Sequence, residues 1–539
     1  MHIFNSKKSS IYAPTGMVAT SQPLASQVGC DILKKGGNAV DAAISIAAMV
    51  TVLEPMMTGL GGDVFALVYS SKDNKLHGLN ASGIQPAALN QDYFSKKNLK
   101  AIPSAGFDSV NIPGAFDGWV QLHKKFGSLP FSELLEGAIH YAKEGYVIGQ
   151  KTAQFWEYGT SKLKLFPDSA KAYLINGKAP KAGERFKQPQ LAQTLKLLSS
   201  GHSEAFYEGS IAEKIVAYFK SHGHQELDLS DFKKQKSEWV MPLSSHYRGH
   251  ELFLIPPNSE GLIALEALKI LEGFDLKHAN PIDYEHYIIE ALKLSFADGH
   301  RYIADPHFYN SPVETILSND YISKRRALIT SKANPTPSAG KINGDTTYFT
   351  VVDKDRNVVS FIMSISDVFG SGIVIPELGM VMNNRGCEFS LDPNHPNCVK
   401  PYKRPYHTII PSMLFKDKEP IMTFGCMGGN MQPQGQVQII SNLIDRDMGL
   451  QEAIDAPRTR VLGGNLVSIE ETFDPAIFEG LIKKGHQPIT DQNIPSDWSS
   501  SHVFASSFKG GAQAIFIDKK NHTLIGASDP RLDGTALGY

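Results

Sequence analysis

Thr346 stands at the junction of two different segments and carries the chemistry that this chain most clearly offers. Residues 331–345 are rich in Pro, Gly, Ser and Asn, and residues 346–353 then alternate as a β-strand does. If the bond between Asp345 and Thr346 is cut, Thr346 gains a free α-amine beside its own hydroxyl. One residue would then supply both the nucleophile and its general base. The plain alternative is a threonine that opens a strand because of its β-propensity.

A second strand-like run follows closely. A polar turn at residues 353–357 leads into residues 358–366, and the two runs together predict a β-hairpin. The hairpin would bring Ser364 and Ser366 back towards Thr346. The register stays open at this level, because a slip of one residue would exchange the two faces of the strand.

A glycine pair farther along the chain predicts a turn that could bind an oxyanion. Gly428 and Gly429 follow a strand-like run at 421–424 and precede a helix-like run at 434–444. Such a pair can turn two backbone N–H groups toward one point, where acyl transfer needs donors for the developing negative charge. An ordinary glycine turn is the alternative.

These motifs, in this order, resemble the γ-glutamyltransferase family of N-terminal-nucleophile hydrolases. The resemblance covers almost the whole chain, and its landmarks are residues 16–20, 36–43, 54–63, 110–115, 255–261, 345–355, 403–405 and 428–429. It implies an α/β layered protein, an αββα sandwich, whose proenzyme cleaves itself before the threonine. The large subunit would be residues 1–345 and the small catalytic subunit residues 346–539.

The resemblance also implies roles for individual residues. Thr346 would be the nucleophile and its new amine the base. Ser364 takes the place of a family threonine that hydrogen-bonds the nucleophile, and Gly428 and Gly429 would form the oxyanion hole. We expect no cofactor and no metal.

The substrate-binding positions depart from the family's pattern. Ser82 stands where the family has an arginine that binds the glutamyl α-carboxylate. The other positions that contact substrate in the family are here Ser366, Arg385, Glu388, His407 and Thr408. These changes resemble a divergent branch that includes glutathione hydrolase-like proteins and oxamate amidohydrolases.

Arg385 is the most informative of these departures. Its guanidinium could replace the lost cation and bind a substrate carboxylate through two hydrogen bonds. Glu388 could still hold an ammonium group. A structural ion pair is the alternative for Arg385, and a packed, hydrogen-bonded side chain is the alternative for His407.

Composition bounds the remaining possibilities. A chain of 539 residues exceeds the usual size of one core, so length alone suggests two or more domains, whereas the resemblance implies two interleaved subunits. A net charge of −2 indicates neither a nucleic-acid partner nor a membrane partner. Residues 1–16 lack an apolar signal region, and the apolar run at 39–53 contains Asp41 and is too short to span a bilayer, so we expect a cytoplasmic protein. The four scattered cysteines predict neither a disulfide scaffold nor a metal site.

Periodicity places the main elements coarsely. It predicts helices at 23–35, 131–144 and 260–272, a buried helix at 39–53, and strands at 64–69 and 512–517. Residues 151–186 are polar and irregular, and we expect them to form surface structure.

The sequence therefore predicts a self-processing threonine amidohydrolase or acyltransferase, similar to glutathione hydrolase and γ-glutamyltransferase. It would cleave a small γ-glutamyl or acidic amide donor through an acyl-enzyme on Thr346, and an oxamate-type amidohydrolase of the same fold is the alternative. Its partner would be a small-molecule substrate, and the large and small subunits of one precursor would bind each other. The sequence leaves open whether a higher oligomer forms.

Two other classes of function compete with this one. A non-catalytic protein that binds a small metabolite on the same scaffold would need neither Thr346 nor the glycine pair, and it would run as one intact chain on a gel. A metal-dependent amidase would lose activity on chelation. The sequence has no His-Glu-x-x-His motif, and the pair His246 and His250 has no glutamate between them.

Overall fold

The computed structural model of this chain describes residues 6–335, 345–494 and 508–539. The β-strands, numbered in chain order, are β1 Ile11–Ala13, β2 Met17–Thr20, β3 Asp63–Ser70, β4 Lys75–Ala81, β5 Tyr146–Val147, β6 Arg185–Phe186, β7 Glu238–Val240, β8 Leu243–Tyr247, β9 His250–Leu254, β10 Asp345–Val352, β11 Val358–Ser366, β12 Val374–Ile375, β13 Met380–Val381, β14 Ser412–Lys416, β15 Glu419–Met427, β16 Thr459–Gly463, β17 Leu466–Ile469, β18 Gln487–Ile489, β19 Gly511–Asp518, β20 Thr523–Ser528 and β21 Thr535–Gly538.

The α-helices, numbered in the same way, surround these strands. They are α1 Pro23–Lys34, α2 Ala39–Leu53, α3 Gln91–Lys96, α4 Ala115–Phe126, α5 Phe131–Glu144, α6 Gln150–Leu163, α7 Pro167–Tyr173, α8 Pro189–Leu198, α9 Glu204–Tyr207, α10 Ser210–Ser221, α11 Leu229–Lys234, α12 Gly261–Leu271, α13 Pro281–Tyr302, α14 Val313–Ile316, α15 Asn319–Arg326, α16 Met431–Ile444, α17 Leu450–Asp455 and α18 Pro475–Lys484. Short 3₁₀ turns occur at Phe107–Ser109, Arg385–Glu388 and Asp491–Asn493. Within the described ranges, no helix is long and apolar enough to cross a membrane.

Two large sheets pack face to face between layers of helices. One sheet has the strand order β1-β20-β19-β15-β14-β9-β8, and the other has the order β21-β2-β10-β11-β3-β4-β7. Strand β10 packs on β15 and β19 of the opposite sheet, α2 covers the other side of β10 and β11, and α12 and α16 cover the sheet that contains β15. This is the αββα sandwich that the resemblance implied.

The alternation of residues along β15 shows how one strand serves two layers. Met422 and Phe424 belong to the apolar cluster shared with α12, α13 and α16. Thr423, between them, points to the other sheet, where its hydroxyl lies 2.7 Å from that of Thr350 on β10. Because side chains alternate across a strand, each face of β15 is buried against a different layer.

Helix α2 is buried along its whole length, as the apolar run at 39–53 predicted. Its first turn is fixed by a capping box, in which Asn38 accepts from the backbone of Asp41 and Asp41 accepts from the backbone of Asn38. The backbone N–H of Ala39 donates to Asp353, at 2.9 Å, in the turn between β10 and β11. The helix is thereby joined directly to the hairpin that begins at Asp345.

The expectation of irregular surface structure at residues 151–186 is wrong. Helices α6 and α7 occupy most of this stretch. Trp156 is fully buried, its ring contacts Phe369, and its indole N–H donates to the backbone of Tyr173 at 2.9 Å. A few large apolar residues at helical spacing face the core here, and the polar residues between them had hidden that periodicity.

Candidate active site

Thr346 lies in the second position of β10, opposite the end of β11. The two strands pair antiparallel, with Asp345 opposite Ser366 and Thr347 opposite Met363, and an irregularity in the register falls between these pairs. The predicted hairpin is thereby confirmed and its register is fixed. Residues 336–344, which approach the hairpin, lie outside the described residues.

The hydroxyl of Thr346 is buried and has polar neighbours. Its Oγ1 atom is 3.5 Å from the Oγ of Ser364 and accepts a hydrogen bond from the side-chain amide of Gln432 at 3.0 Å. Ser364 Oγ in turn accepts from the backbone N–H of Ser366 at 2.8 Å and from Arg385 at 3.0 Å. The structure thus brings the predicted nucleophile and its predicted hydroxyl neighbour together.

Arg385 is fully buried at the centre of this network. Its Nη1 donates to Thr408 Oγ1 and its Nη2 to Ser364 Oγ, both at 3.0 Å. Its Nε lies 4.0 Å from a carboxylate oxygen of Asp63. The guanidinium therefore has the ion pair that the structural alternative requires, and it also lies one hydroxyl group away from Thr346.

His407 contacts the same carboxylate oxygen of Asp63 as Arg385 does. It is fully buried, and its Nε2 is 3.0 Å from Asp63 Oδ2. Burial, reinforced by the charge of Arg385, lowers the pKa of His407 to about 4. The ring is therefore neutral near pH 7, with Nε2 donating to Asp63 and Nδ1 accepting from the backbone of Ile409 at 3.4 Å. This geometry fits the packed, hydrogen-bonded alternative.

The glycine pair forms a tight turn between β15 and α16. Gly428 has φ of +117° and Gly429 has φ of +59°, in the region where side chains with a Cβ are strained. The backbone N–H of Gln432 donates to the carbonyl of Gly429 at 2.9 Å. The same Gln432 bonds Thr346, so the turn is tied to the nucleophile through one residue. Its role as an oxyanion hole stays a prediction.

Glu388 lines one of the cavities of the protein. The cavity has a volume of about 410 Å³, and its lining includes Glu388, Tyr406 and Asn430. Asn430 directly follows Gly429, so the cavity reaches the glycine turn. Ser366 has φ of +82°, and its hydroxyl is buried without a hydrogen-bond partner in the described part of the chain. The substrate-binding roles of Glu388 and Ser366 stay predictions.

Two carboxylates that contact the site, Glu54 and Glu260, were given no role by the sequence motifs. Glu54 accepts from Thr347 Oγ1 at 2.7 Å, next to the predicted nucleophile. Glu260 accepts from Tyr406 at 2.5 Å and from Asn430 at 2.9 Å. Burial raises the pKa of Glu54 and holds that of Glu260 well above its ordinary value. Both residues lie in landmarks of the resemblance, at 54–63 and 255–261, which was the available signal.

One buried group has side chains of the types that bind metals. Among the described residues, it consists of His286, Glu290 and His486. The two rings bond each other at 2.8 Å, and the Lys293 ammonium lies 2.8 Å from Glu290. Lys293 thus supplies the positive charge opposite Glu290, and the prediction that the protein needs no metal stays a prediction.

Comparisons with known proteins show the family of this chain. The sequence model of the family described as Gamma-glutamyltranspeptidase matches residues 25–539. The glutathione hydrolase-like YwrD proenzyme of Bacillus subtilis strain 168 is 37% identical over 98% of this chain and 99% of that protein. The oxamate amidohydrolase proenzyme of Klebsiella pneumoniae is 32% identical over 97% of this chain and 98% of that protein.

Solved structures give the same result. Cephalosporin acylase from Bacillus halodurans superposes with a TM-score of 0.91 at 41% identity, covering 100% of this chain and 98% of that chain. The γ-glutamyltranspeptidase of Helicobacter pylori superposes with a TM-score of 0.55 at 26% identity, covering 61% of this chain and 94% of that chain. The chain therefore belongs to the γ-glutamyltranspeptidase family of N-terminal-nucleophile hydrolases.

Proposed function

We propose that this chain is a proenzyme that cuts itself between Asp345 and Thr346 and then hydrolyses or transfers the acyl group of a small γ-glutamyl or acidic amide donor. The observation that carries the proposal is the position of Thr346. Its hydroxyl is buried at the start of a central strand, beside Ser364 and within hydrogen-bond distance of Gln432. A threonine that only stabilised a strand would need neither of these contacts.

Self-cleavage follows from the chemistry of a hydroxyl next to its own preceding carbonyl. Thr346 Oγ1 attacks the carbonyl carbon of Asp345, the C–N bond breaks, and the hydroxyl proton ends on the nitrogen that becomes the α-amine. Water then hydrolyses the resulting ester, which releases Asp345 as a carboxylate and restores the Thr346 hydroxyl.

The same atoms would perform turnover. The α-amine takes the proton from Thr346 Oγ1 as Oγ1 bonds to the acyl carbon of the donor, and the proton passes to the departing amine. Water, or an acceptor amine, then releases the acyl group. The backbone N–H groups of Gly428 and Gly429 would hold the negative charge on the carbonyl oxygen in both steps.

Charge in the site supports a donor that carries a carboxylate. Arg385 uses two of its N–H groups on Ser364 and Thr408, and its Nε–H has no hydrogen-bond partner in the described ranges. A guanidinium has five N–H donors in one plane, so it could bind a carboxylate while keeping both existing bonds. Glu388, in the neighbouring cavity, suits an ammonium group. A γ-glutamyl group carries both charges.

Gel electrophoresis and mass spectrometry of the purified protein test the processing step. We expect the wild-type chain to give two fragments, 1–345 and 346–539, and Thr346→Ala to stay as one chain. Thr346→Ser is the matched control, since it keeps the hydroxyl and should still be cleaved. A wild-type small fragment that begins at any other residue would remove the central claim.

A substrate panel then tests the acyl donor. Glutathione, oxamate and a neutral N-acyl amide of the kind that an acylase cleaves form its three arms. We expect glutathione to be turned over, and preference for oxamate would favour the alternative amidohydrolase. Activity on the neutral amide alone would contradict the proposed carboxylate-binding site.

The cytoplasmic location also stays a prediction, and cell fractionation of the native host tests it.

A further inference from the structure

Gln432 is, with Ser364, a side chain within hydrogen-bond distance of the oxygen of the proposed nucleophile. It lies in the first turn of α16, three residues after Gly429, and it is fully buried. Its Nε2 donates to Thr346 Oγ1 at 3.0 Å, and its Oε1 accepts from the backbone N–H of Ile410 at 2.9 Å. Both ends of this amide are therefore engaged.

The contact with Ile410 decides which way the amide faces. A backbone N–H can only donate, so the carbonyl oxygen of Gln432 must point to Ile410 and its NH₂ group to Thr346. An amide NH₂ cannot accept, so Thr346 Oγ1 must be the acceptor in this bond. The hydroxyl proton of Thr346 is consequently directed away from Gln432.

We infer that Gln432 is a further catalytic residue, which donates a hydrogen bond to Thr346 Oγ1 in self-cleavage and in turnover. The inference rests on the proposed function of Thr346. When Oγ1 loses its proton in the attack, and again when it leaves the acyl carbon during deacylation, negative charge develops on this oxygen. A fixed N–H donor stabilises that charge more than it stabilises the neutral hydroxyl, and so lowers the barrier.

The same helix offers a matched control. Gln436 is also fully buried, and its Nε2 donates to the carbonyl of the same residue, Ile410, at 2.9 Å. Replacement of either glutamine by methionine keeps the length of the side chain and removes one bond to Ile410. Only Gln432→Met also removes the donor to Thr346.

The first experiment compares Gln432→Met with Gln436→Met. We expect Gln432→Met to lower kcat and the rate of self-cleavage about 10- to 100-fold, as loss of a hydrogen bond to a charged atom does. Its KM should change little, because the bond strengthens mainly in the transition state. Gln436→Met should cleave itself and turn over at close to the wild-type rate. Equal behaviour of the two variants would overturn the inference.

Gln432→Glu provides a second test that does not depend on how well the methionine variant folds. Its ionised carboxylate can accept from Ile410 but has no donor for Thr346. Once protonated, the carboxyl group has an O–H that must face Thr346, because its other oxygen faces Ile410. Burial raises the pKa of such a group. We therefore expect the activity of Gln432→Glu, divided by that of Gln432→Met at the same pH, to rise as the pH falls.

The outcomes separate this inference from the proposed function. If the wild-type chain is not cleaved before Thr346, the proposed function fails. If the wild-type chain is cleaved and active, but the ratio of the two Gln432 variants is flat with pH and Gln432→Met matches Gln436→Met, only the role of Gln432 fails.

Discussion

At the scale of single residues, the site is organised around one buried cation. Arg385 contacts Ser364, which neighbours Thr346, and its charge lies opposite Asp63. Asp63 is fully buried and also accepts from His407 and from the backbone of Gly83. A buried carboxylate without a paired positive charge lowers the stability of the fold. Arg385 therefore stabilises the fold by pairing with Asp63, in addition to any contact with substrate.

The ratio of kcat/KM for an acidic donor to kcat/KM for its neutral amide separates the structural role of Arg385 from a substrate-binding role. We expect Arg385→Lys to lower kcat/KM for an acidic donor relative to its neutral amide by about tenfold or more, because an ammonium keeps the charge but loses the planar fork. Arg385→Ala should lower the same ratio further, and it should also lower stability because it leaves Asp63 without its cation. Steady-state kinetics on the paired donors measure the ratio.

Arg404 supplies the control for this prediction. It is another buried arginine, and its Nη1 bonds Glu238 at 2.8 Å. Arg404→Lys should leave the ratio unchanged. If both Arg385 variants lower kcat/KM equally for the two donors, Arg385 is structural only. If Arg404→Lys changes the ratio, Arg404 is the residue that binds the substrate carboxylate.

At the scale of elements, the glycines of the loop before β3 allow the β10–β11 hairpin to pack closely against that loop. A Cβ atom on Gly62 would overlap the carbonyl oxygen of Ser364, and one on Gly61 would overlap that of Val381. The sequence Gly61-Gly62-Asp63 therefore combines close packing against β11 with the carboxylate that faces Arg385. The glycines are required here for lack of space, not for an unusual backbone angle.

This packing predicts the effect of adding one methyl group. We expect Gly62→Ala to slow self-cleavage, because β11 must shift and take Ser364 away from Thr346. Gly59→Ala is the control in the same loop, since its Cβ would meet only the methyl group of Thr51, at 3.8 Å. Densitometry of precursor and fragments over time measures both. Identical time courses would show that the position of Ser364 does not limit cleavage.

At the scale of the whole molecule, the two predicted subunits share both sheets. Strands β10 and β11 lie between β2 and β3 in one sheet, and β14 and β15 lie between β9 and β19 in the other. Each sheet therefore combines strands from before and after residue 345, since β14, β15, β19 and β20 together lie between β9 and β1 in the second sheet. The interleaved arrangement agrees with the resemblance and not with the two separate domains that length alone suggested. The boundary at residue 345 stays a prediction.

The shared sheets predict that cleavage does not release the fragments. We expect cleaved protein to elute from a sizing column in one peak that contains both fragments, and to separate only in denaturant, because separation would break the ladders between β2 and β10 and between β11 and β3. Gel analysis across the peak measures this. Fragments that eluted apart under native conditions would contradict the interleaved sandwich.

Much of the fold was accessible from local pattern. The helix at 131–144 matches α5 at both ends, and the strand at 64–69 matches β3 within one residue. Hydrophobic periodicity and the residues that start or stop helices predicted these two elements, because both signals depend only on a few neighbouring residues. The prediction for residues 151–186 was wrong for the opposite reason, since Trp156 packs on Phe369, which lies far outside that stretch of sequence.

The sequence by itself determined the chemistry: a threonine at a loop-to-strand junction, a neighbouring serine, a glycine turn and the family to which they belong. These are properties of residue types in order along the chain. Only the tertiary structure decided the register of the hairpin, the pairing of Arg385 with Asp63, and the contact of Gln432 with Thr346. The last of these joins residues 86 positions apart. Such contacts depend on how distant strands and helices stack, and no local pattern encodes that distance.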